Sequence, residues 1–248
     1  MKSLTFGKWL LVTNPFYSSD ETERSRPVLG EVVATLPDAI LIGGWGTWVR
    51  TKGPMSHDID LIVSHQDLAR VQGLAEDVSS SHHIGGTKWR GTWRSIHLDL
   101  YVPYQSRLGA NLQLRAETLQ ALSETVDGYR VLTVPAHMAT KIAALLDRPD
   151  SLPGRKDRQE IMALLNDPAA IETPNVIALS SARTPTDIQA LVKQAFAFLL
   201  DARELNQRDR SRLRQVEVSW QQALAATIER GLVRDNGPAQ DRTPGLGF

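Results

Sequence analysis

The sequence contains no cysteine, which excludes disulfide bonds, thiolate metal sites and cysteine nucleophiles. This composition suits the reducing cytosol, and we predict a cytoplasmic protein. An excess of charge of one sign is absent too, because 28 Lys and Arg balance 28 Asp and Glu. Any contact with nucleic acid must therefore come from a local patch of basic residues.

Long apolar runs are also missing. No stretch approaches the roughly 20 apolar residues that a membrane-spanning helix needs. The apolar residues 9–12 are too few for the core of a signal peptide, so we predict neither membrane insertion nor export. With 248 residues, 42% of them hydrophobic, the chain can form one large domain or two small ones.

Apolar spacing in the first half indicates alternating helices and strands. A helix over 27–36 should precede a buried strand over 39–42, and a second strand should span 59–63. Between these strands, Gly43 and Gly44 predict a short turn. Three further elements are predicted: a capped helix from Ser64 to Val78, a strand over 97–102 and a helix over 112–122.

The second half is mostly helical in pattern, and the change falls near Pro135. The sequence therefore predicts an α+β domain with a small mixed sheet flanked by helices over residues 1–134. A helical domain should follow over residues 135–234. Residues 235–248 are rich in Gly, Pro and polar residues, so we predict a disordered tail.

Three aspartates are the candidate catalytic residues. Asp58 and Asp60 are two positions apart in a predicted strand, so they share one face while Ile59 packs behind. Asp99 has the same surroundings in the next predicted strand, between two apolar residues. At a separation near 4 Å and an effective dielectric of about 20, a pair of carboxylates repels by roughly 4 kcal/mol. A cation would relieve that repulsion, and we predict that the three aspartates bind two Mg²⁺ ions, with Mn²⁺ as a possible substitute.

The glycine pair adds a phosphate site to this acidic cluster. Gly43 and Gly44 follow a buried strand, and their backbone N–H groups suit a triphosphate. The order of motifs, Ile42-Gly43-Gly44-Trp45 and then Ser56-His57-Asp58-Ile59-Asp60 with Asp99 later, resembles the DNA polymerase beta-like nucleotidyltransferase superfamily. That resemblance implies a nucleotidyltransferase palm followed by a C-terminal helical domain, and NTP as a substrate.

Within that superfamily, the second half is similar to the AbiEii/MenT-like group of toxin nucleotidyltransferases. Lys141 and the pair Lys156-Asp157 match the places of a recurring lysine and a recurring Lys-Asp pair. The resemblance implies that Lys141 binds phosphate and that Asp157 supports the active site. It implies a transfer of a nucleoside monophosphate to a tRNA 3′ end or another RNA, by a toxin with a cognate antitoxin protein.

The helical spacing of His137, Lys141 and Arg148 also predicts a positive edge on one flank of their helix, facing the triphosphate. A solvated helix face is the alternative interpretation for His137 and Arg148.

One departure from the superfamily pattern is Trp45, which stands where many relatives have a serine. The hydroxyl contact to phosphate must then be missing or be supplied by Ser56 or Thr47. Gly-Gly-Trp also occurs in antibiotic-modifying nucleotidyltransferases, so a small-molecule acceptor stays open. A third alternative is a catalytically inactive binding module, although the three aspartates favour an enzyme.

The implied reaction is an attack by the acceptor hydroxyl on the α-phosphorus of NTP, with pyrophosphate leaving in line. Asp99 is expected to lie beside the hydroxyl, and the triphosphate site is expected at Gly43, Gly44, Ser56, Lys141 and Asp157.

Overall fold

The computed structural model describes residue 16, residues 19–83 and residues 86–230. The predicted tail over 235–248 lies outside the described residues. Within the described ranges, no helix is both long enough and apolar enough to cross a bilayer.

A mixed seven-stranded sheet is the centre of the described structure. Its strands, with the two short strands β6 and β7 that pair separately, have these bounds: β1 Ile40–Leu41, β2 Ile59–Ile62, β3 Glu76–His83, β4 Gly86–Trp93, β5 Ile96–Tyr101, β6 Arg107–Leu108, β7 Leu114–Arg115, β8 Ser123–Val126 and β9 Tyr129–Leu132. The order across the sheet is β3-β4-β5-β2-β1-β9-β8. β2 runs parallel to β5, and β1 runs parallel to β9, whereas the other neighbours are antiparallel.

Helices cover both faces of this sheet. Those in the first half are α1 Ser19–Thr35, α2 Gly43–Thr51, α3 His65–Leu74 and α4 Ala116–Gln120. Those in the second half are α5 Val134–Asp147, α6 Leu152–Leu164, a 3₁₀ helix Pro168–Glu172, α7 Thr173–Ser180, α8 Pro185–Leu200 and α9 Gln207–Glu229. The predicted α+β class, with a mixed sheet flanked by helices, is confirmed.

Side-chain alternation along β2 and β5 divides the core into two apolar clusters. Ile59, Leu61, Leu98 and Leu100 pack in one cluster with residues of α1, α2 and α3. Ile62 points to the opposite face and packs in a second cluster, which contains most of the apolar side chains of the helical half. Because successive strand residues point to opposite faces, Asp60 and Asp99 face the helical half.

Two predicted elements differ from the structure. The helix predicted over 112–122 is wrong over most of its length, because only Ala116–Gln120 is helical and Leu114–Arg115 forms β7. The capped helix from Ser64 ends at Leu74 and not at Val78, which lies in β3. The cap itself is confirmed, since the Ser64 side chain accepts a hydrogen bond from the Asp67 N–H at 3.0 Å.

Candidate active site

The pairing of β2 with β5 places two of the candidate aspartates side by side. Asp60 and Asp99 are register partners on these parallel strands, and Asp58 directly precedes β2. The apolar neighbours Ile59, Leu61, Leu98 and Leu100 are completely buried on the opposite face. Burial of that apolar face fixes the orientation of both strands, so the carboxylates cannot turn away without exposing the core.

Helix α2 begins at the glycine pair, directly beside Asp60. The predicted short turn is wrong in form, because Gly43 and Gly44 are the first two residues of a nine-residue helix. Gly43 has a φ of +61°, and a side chain there would overlap the Asp60 carboxylate. A Cβ on Gly44 would lie 2.6 Å from both Ser56 Oγ and Lys156 Nζ. Glycine at both positions therefore lets other groups approach the positive end of the helix, where N–H groups favour an anion.

His137 supports this glycine pair from beneath. Its Nε2 lies 3.1 Å from the carbonyl oxygen of Gly43 and 3.0 Å from Thr47 Oγ1. The side chain is completely buried, and desolvation together with the nearby charges of Lys141 and Arg50 lowers its pKa to about 3. The interpretation of His137 as part of a positive edge is therefore wrong, since the imidazole is neutral.

The Ser56 hydroxyl lies beside the glycine pair, close to the position that a side chain on Gly44 would occupy. Ser56 Oγ donates to Asp58 Oδ1 at 2.7 Å and accepts from Lys156 Nζ at 3.3 Å. The alternative donor, Thr47, instead donates to the Gly43 carbonyl oxygen within α2. Trp45 itself is fully buried in the apolar cluster behind the sheet. Of these two residues, Ser56 lines the cleft in front of the glycine pair and Thr47 does not.

Buried ion pairs connect α5 with α6 close to Gly44. Lys141 Nζ lies 2.5 Å from Glu160 Oε2 and 3.4 Å from Asp157 Oδ1. Lys156 Nζ lies 3.7 Å from Glu160 Oε1, and Arg148 Nε lies 2.8 Å from Asp157 Oδ2. Although burial opposes the charge on Lys141, Glu160 and Asp157 raise its pKa above the usual value. Lys141 is therefore a charged group held in place at the base of a cleft.

Asp99 has two basic partners on the neighbouring strand β4. Lys88 Nζ contacts Asp99 Oδ2, and Arg90 Nε lies 3.2 Å from Asp99 Oδ1. Lys88 also lies over the ring of Tyr101, 5.3 Å from its centroid. Sequence reasoning missed both of these basic residues. The alternation Lys88-Trp89-Arg90 within β4 was the available signal, since it places both cations on one face.

These groups enclose a single cleft of about 700 Å³ between the sheet and the helices α5 and α6. All the candidate site residues line it: Gly43, Gly44, Ser56, Asp58, Asp60, Asp99, Lys141 and Asp157. Lys88, Arg90, Arg148 and Lys156 line the same cleft. Asp58, Asp60 and Asp99 therefore form an acidic region of the wall, which basic groups border on two sides.

The acidic region is electrostatically unfavourable when all three aspartates are ionised. Desolvation, followed by the charges of Asp58 and Asp99, raises the pKa of Asp60 to about 7. Desolvation also acts on Asp58, but the hydrogen bond from Ser56 and the nearby His57 and Lys156 lower its pKa below the usual value. The electrostatic repulsion among the three carboxylates thus falls mainly on Asp60. A cation placed beside Asp60 would offset this repulsion.

The three carboxylates do not form a complete set of metal ligands in this conformation. Among the described residues, no group of three or more acidic or histidine side chains could hold a metal ion as it stands. The reason is visible in the contacts, because Ser56 engages Asp58 while Lys88 and Arg90 engage Asp99. Joint coordination would require Asp99 to exchange part of these contacts for a metal ion.

Comparisons with known proteins find similar chains only among solved structures, and two of these are described here. No family model matches the chain, and no curated protein matches it. JHP933 from Helicobacter pylori is similar at 11% identity and a TM-score of 0.41, over 86% of this chain and 95% of that chain. An antigenic nucleotidyltransferase-like protein from Paracoccidioides brasiliensis is similar at 14% identity and a TM-score of 0.41, over 82% and 94%. Likenesses this distant add no argument about activity, which must rest on the geometry of the cleft.

Proposed function

We propose that this chain is a metal-dependent nucleotidyltransferase of the DNA polymerase beta-like superfamily, acting on NTP and an acceptor hydroxyl. One observation carries the proposal: Asp60 and Asp99 are register partners on adjacent parallel strands, directly beside a helix that begins at Gly43-Gly44. Carboxylates for cations and a helix N-terminus for phosphates are thereby combined in one cleft, as nucleotidyl transfer requires.

The chemistry of the donor set fits Mg²⁺, and Mn²⁺ as a substitute. Asp58, Asp60 and Asp99 offer only oxygen ligands, and desolvation together with the charges of Asp58 and Asp99 raises the pKa of Asp60 to about 7. These three residues would hold the metal. When bound, the metal would neutralise the triphosphate and lower the pKa of the acceptor hydroxyl.

The remaining cleft residues suit a triphosphate. The N–H groups at the start of α2, Ser56 Oγ and the buried amines of Lys141 and Lys156 all border the glycine pair or the cleft base. Asp157 and Glu160 hold the two lysines in position, because long amines would otherwise sample many rotamers. Lys156 thus joins Gly43, Gly44, Ser56, Lys141 and Asp157 in the proposed nucleotide site.

The proposed step is an in-line displacement at the α-phosphorus. The acceptor oxygen forms a bond to that phosphorus, the bond to the bridging oxygen breaks, and pyrophosphate leaves with the electron pair. The proton of the acceptor hydroxyl passes to Asp99 or through it to water. As acceptor we propose a tRNA 3′ end, and as biological setting a toxin restrained by a cognate antitoxin protein. Both follow from the AbiEii/MenT-like motifs at Lys141 and Lys156-Asp157.

A labelling assay tests the activity and sorts the acceptors. The protein is incubated with each labelled NTP, magnesium and a cell extract, and the products are treated with ribonuclease or protease. We expect label in a species that ribonuclease destroys. Label in a small species resistant to both treatments would instead support an antibiotic-like acceptor. No label with any NTP, and no magnesium-dependent shift in melting temperature, would indicate an inactive binding module.

Substitution of the aspartates connects the activity to this cleft. We expect Asp58→Ala and Asp60→Ala each to lower the rate of transfer roughly 100-fold or more, because each removes charge that positions the reacting groups. Asp38→Ala is the matched control, since Asp38 is 84% exposed and outside the cleft. Wild-type rates in both cleft variants would refute the proposed function.

A further inference from the structure

The sheet arranges the cleft in a fixed lateral order. Moving away from Gly43 and α2, the sequence of groups is Asp60 on β2, Asp99 on β5, Arg90 on β4 and Ser79 on β3, each the register partner of the previous one. The lysines Lys141 and Lys156 lie on the Gly43 side of this order, since Lys156 would contact a side chain on Gly44. Basic groups thus lie on both sides of the carboxylates.

In-line displacement requires the acceptor and the pyrophosphate to lie on opposite sides of the α-phosphorus, and the order of the strands indicates which side each occupies. The attacking oxygen and the leaving oxygen lie on opposite sides of the α-phosphorus. This step rests on the proposed function, which puts the triphosphate at the N-terminus of α2. Pyrophosphate then leaves on the Gly43 side, and the acceptor hydroxyl must approach from the side of Asp99 and β4.

The surface on that side is polar and basic. We name it the hairpin face and define it as Ser79, Ser81, Lys88 and Arg90, which are opposed in pairs on β3 and β4. Ser79 and Ser81 are exposed, and the Arg90 side chain is 66% exposed, whereas the Lys88 side chain is 12% exposed and lies between Asp99 and Tyr101. Trp89 belongs to the opposite face of the hairpin and packs against the apolar cluster, which fixes the orientation of Lys88 and Arg90.

The charge of the hairpin face indicates the chemistry of its occupant. Lys88 and Arg90 share the single carboxylate of Asp99, so these three side chains carry a net charge of +1. Within the described residues, Arg90 bonds to Asp99 through Nε, and a guanidinium has further N–H donors suited to a phosphate. The charge of these three side chains favours an anionic backbone over a polycationic acceptor such as an aminoglycoside.

We propose that the hairpin face binds the phosphate backbone of a nucleic-acid acceptor, with Arg90 and Lys88 holding the phosphate next to the reacting 3′ hydroxyl. The acceptor strand runs over β4 and β3 toward the edge of the sheet. This assigns the acceptor site to a surface separate from the triphosphate site, and it disfavours an antibiotic-like acceptor on grounds of charge.

The test measures the salt dependence of RNA binding. A short single-stranded RNA labelled with fluorescein at its 5′ end is titrated with the full chain in magnesium without NTP, at several salt concentrations. Arg90→Gln should weaken binding and reduce the slope of log K against log salt by about 0.7, the value for one phosphate contact on a single strand. Arg94→Gln is the matched control, because Arg94 is 70% exposed and pairs with Glu31 but lies outside the cleft.

Transfer kinetics separate this inference from the proposed function. Arg90→Gln should raise the KM for RNA several-fold and leave the KM for NTP unchanged, whereas Arg90→Lys should restore part of the RNA affinity. An aminoglycoside offered as acceptor should be used poorly by the wild type.

Three results would overturn the inference: no RNA binding by the wild type, equal salt slopes for Arg90→Gln and Arg94→Gln, or efficient aminoglycoside transfer. If Asp60→Ala abolishes transfer in the same preparation, any such result contradicts the acceptor site and leaves the proposed metal-dependent nucleotidyl transfer intact. Transfer at the wild-type rate by Asp60→Ala would instead refute the proposed function.

Discussion

At the scale of single residues, the cleft depends on polar side chains whose protonation states the fold imposes. His137 is the clearest case, because it is completely buried and its Nε2 contacts the Gly43 carbonyl and the Thr47 hydroxyl. Its pKa falls to about 3, below the ordinary value of 6.5. A neutral imidazole can hold the start of α2 without placing a charge beneath it.

The depressed pKa of His137 makes stability dependent on pH. Since the unfolded chain binds the proton near pH 6.5 and the folded chain near pH 3, this contribution is complete above pH 6.5 and is lost as the pH falls toward 3. We expect the free energy of unfolding of the wild type to fall over this window by on the order of a few kcal/mol more than that of His137→Gln. Urea unfolding at a series of pH values measures the difference.

His97→Gln is the control for this prediction, because His97 is exposed on β5. It should keep the pH dependence of the wild type. Parallel pH profiles for the wild type and His137→Gln would mean that the buried imidazole does not resist protonation.

At the scale of elements, the crossing of α5 and α6 assembles the buried ion pairs. Glu160 is the shared partner of Lys141 and Lys156, at 2.5 and 3.7 Å, and all three side chains are almost completely buried. Removal of that carboxylate leaves excess positive charge in a desolvated position. A triphosphate bound beside the two lysines would supply the missing negative charge.

Glu160→Gln should therefore lower the stability of the ligand-free chain by on the order of a few kcal/mol. Magnesium and NTP should raise the melting temperature of this variant more than that of the wild type. Glu124→Gln is the control, since Glu124 pairs with Arg50 at 2.8 Å but is 48% exposed. Equal NTP-induced shifts in the Glu160 variant and the wild type would show that the two lysines do not bind the triphosphate.

The elements also show how far sequence reasoning reaches. The alternation in β2 and β5 was sufficient to place Asp60 and Asp99 opposite their apolar neighbours, because strand periodicity is local. The hairpin of β3 and β4 was missed, since β3 reads Glu-Asp-Val-Ser-Ser-Ser-His-His and has a single apolar residue. Local alternation could place Lys88 and Arg90 on one face of β4, but their pairing with Asp99 depends on strand order, and the pairing of Glu160 with Lys141 depends on helix crossing.

At the scale of the whole molecule, the cleft joins the two halves of the chain. Asp60 and Asp99 come from the sheet, whereas Lys141 and Asp157 come from helices that pack in the second apolar cluster. Close packing on both faces of the sheet holds like charges together that would separate in water. The free energy of folding thus offsets the repulsion between the neighbouring carboxylates.

This repulsion predicts that Asp60→Asn stabilises the metal-free chain. Above pH 7, where Asp60 is ionised beside Asp58 and Asp99, the substitution removes the repulsion while keeping the side-chain shape. We expect a gain on the order of 1 kcal/mol or more in the free energy of unfolding.

Magnesium should stabilise the wild type and have little effect on Asp60→Asn, so that the difference in stability between the two chains narrows as magnesium is added. Asp127→Asn, at a 60% exposed position paired with Lys52, should retain the full magnesium response. If Asp60→Asn is less stable without metal and responds to magnesium as the wild type does, the carboxylates do not share a cation.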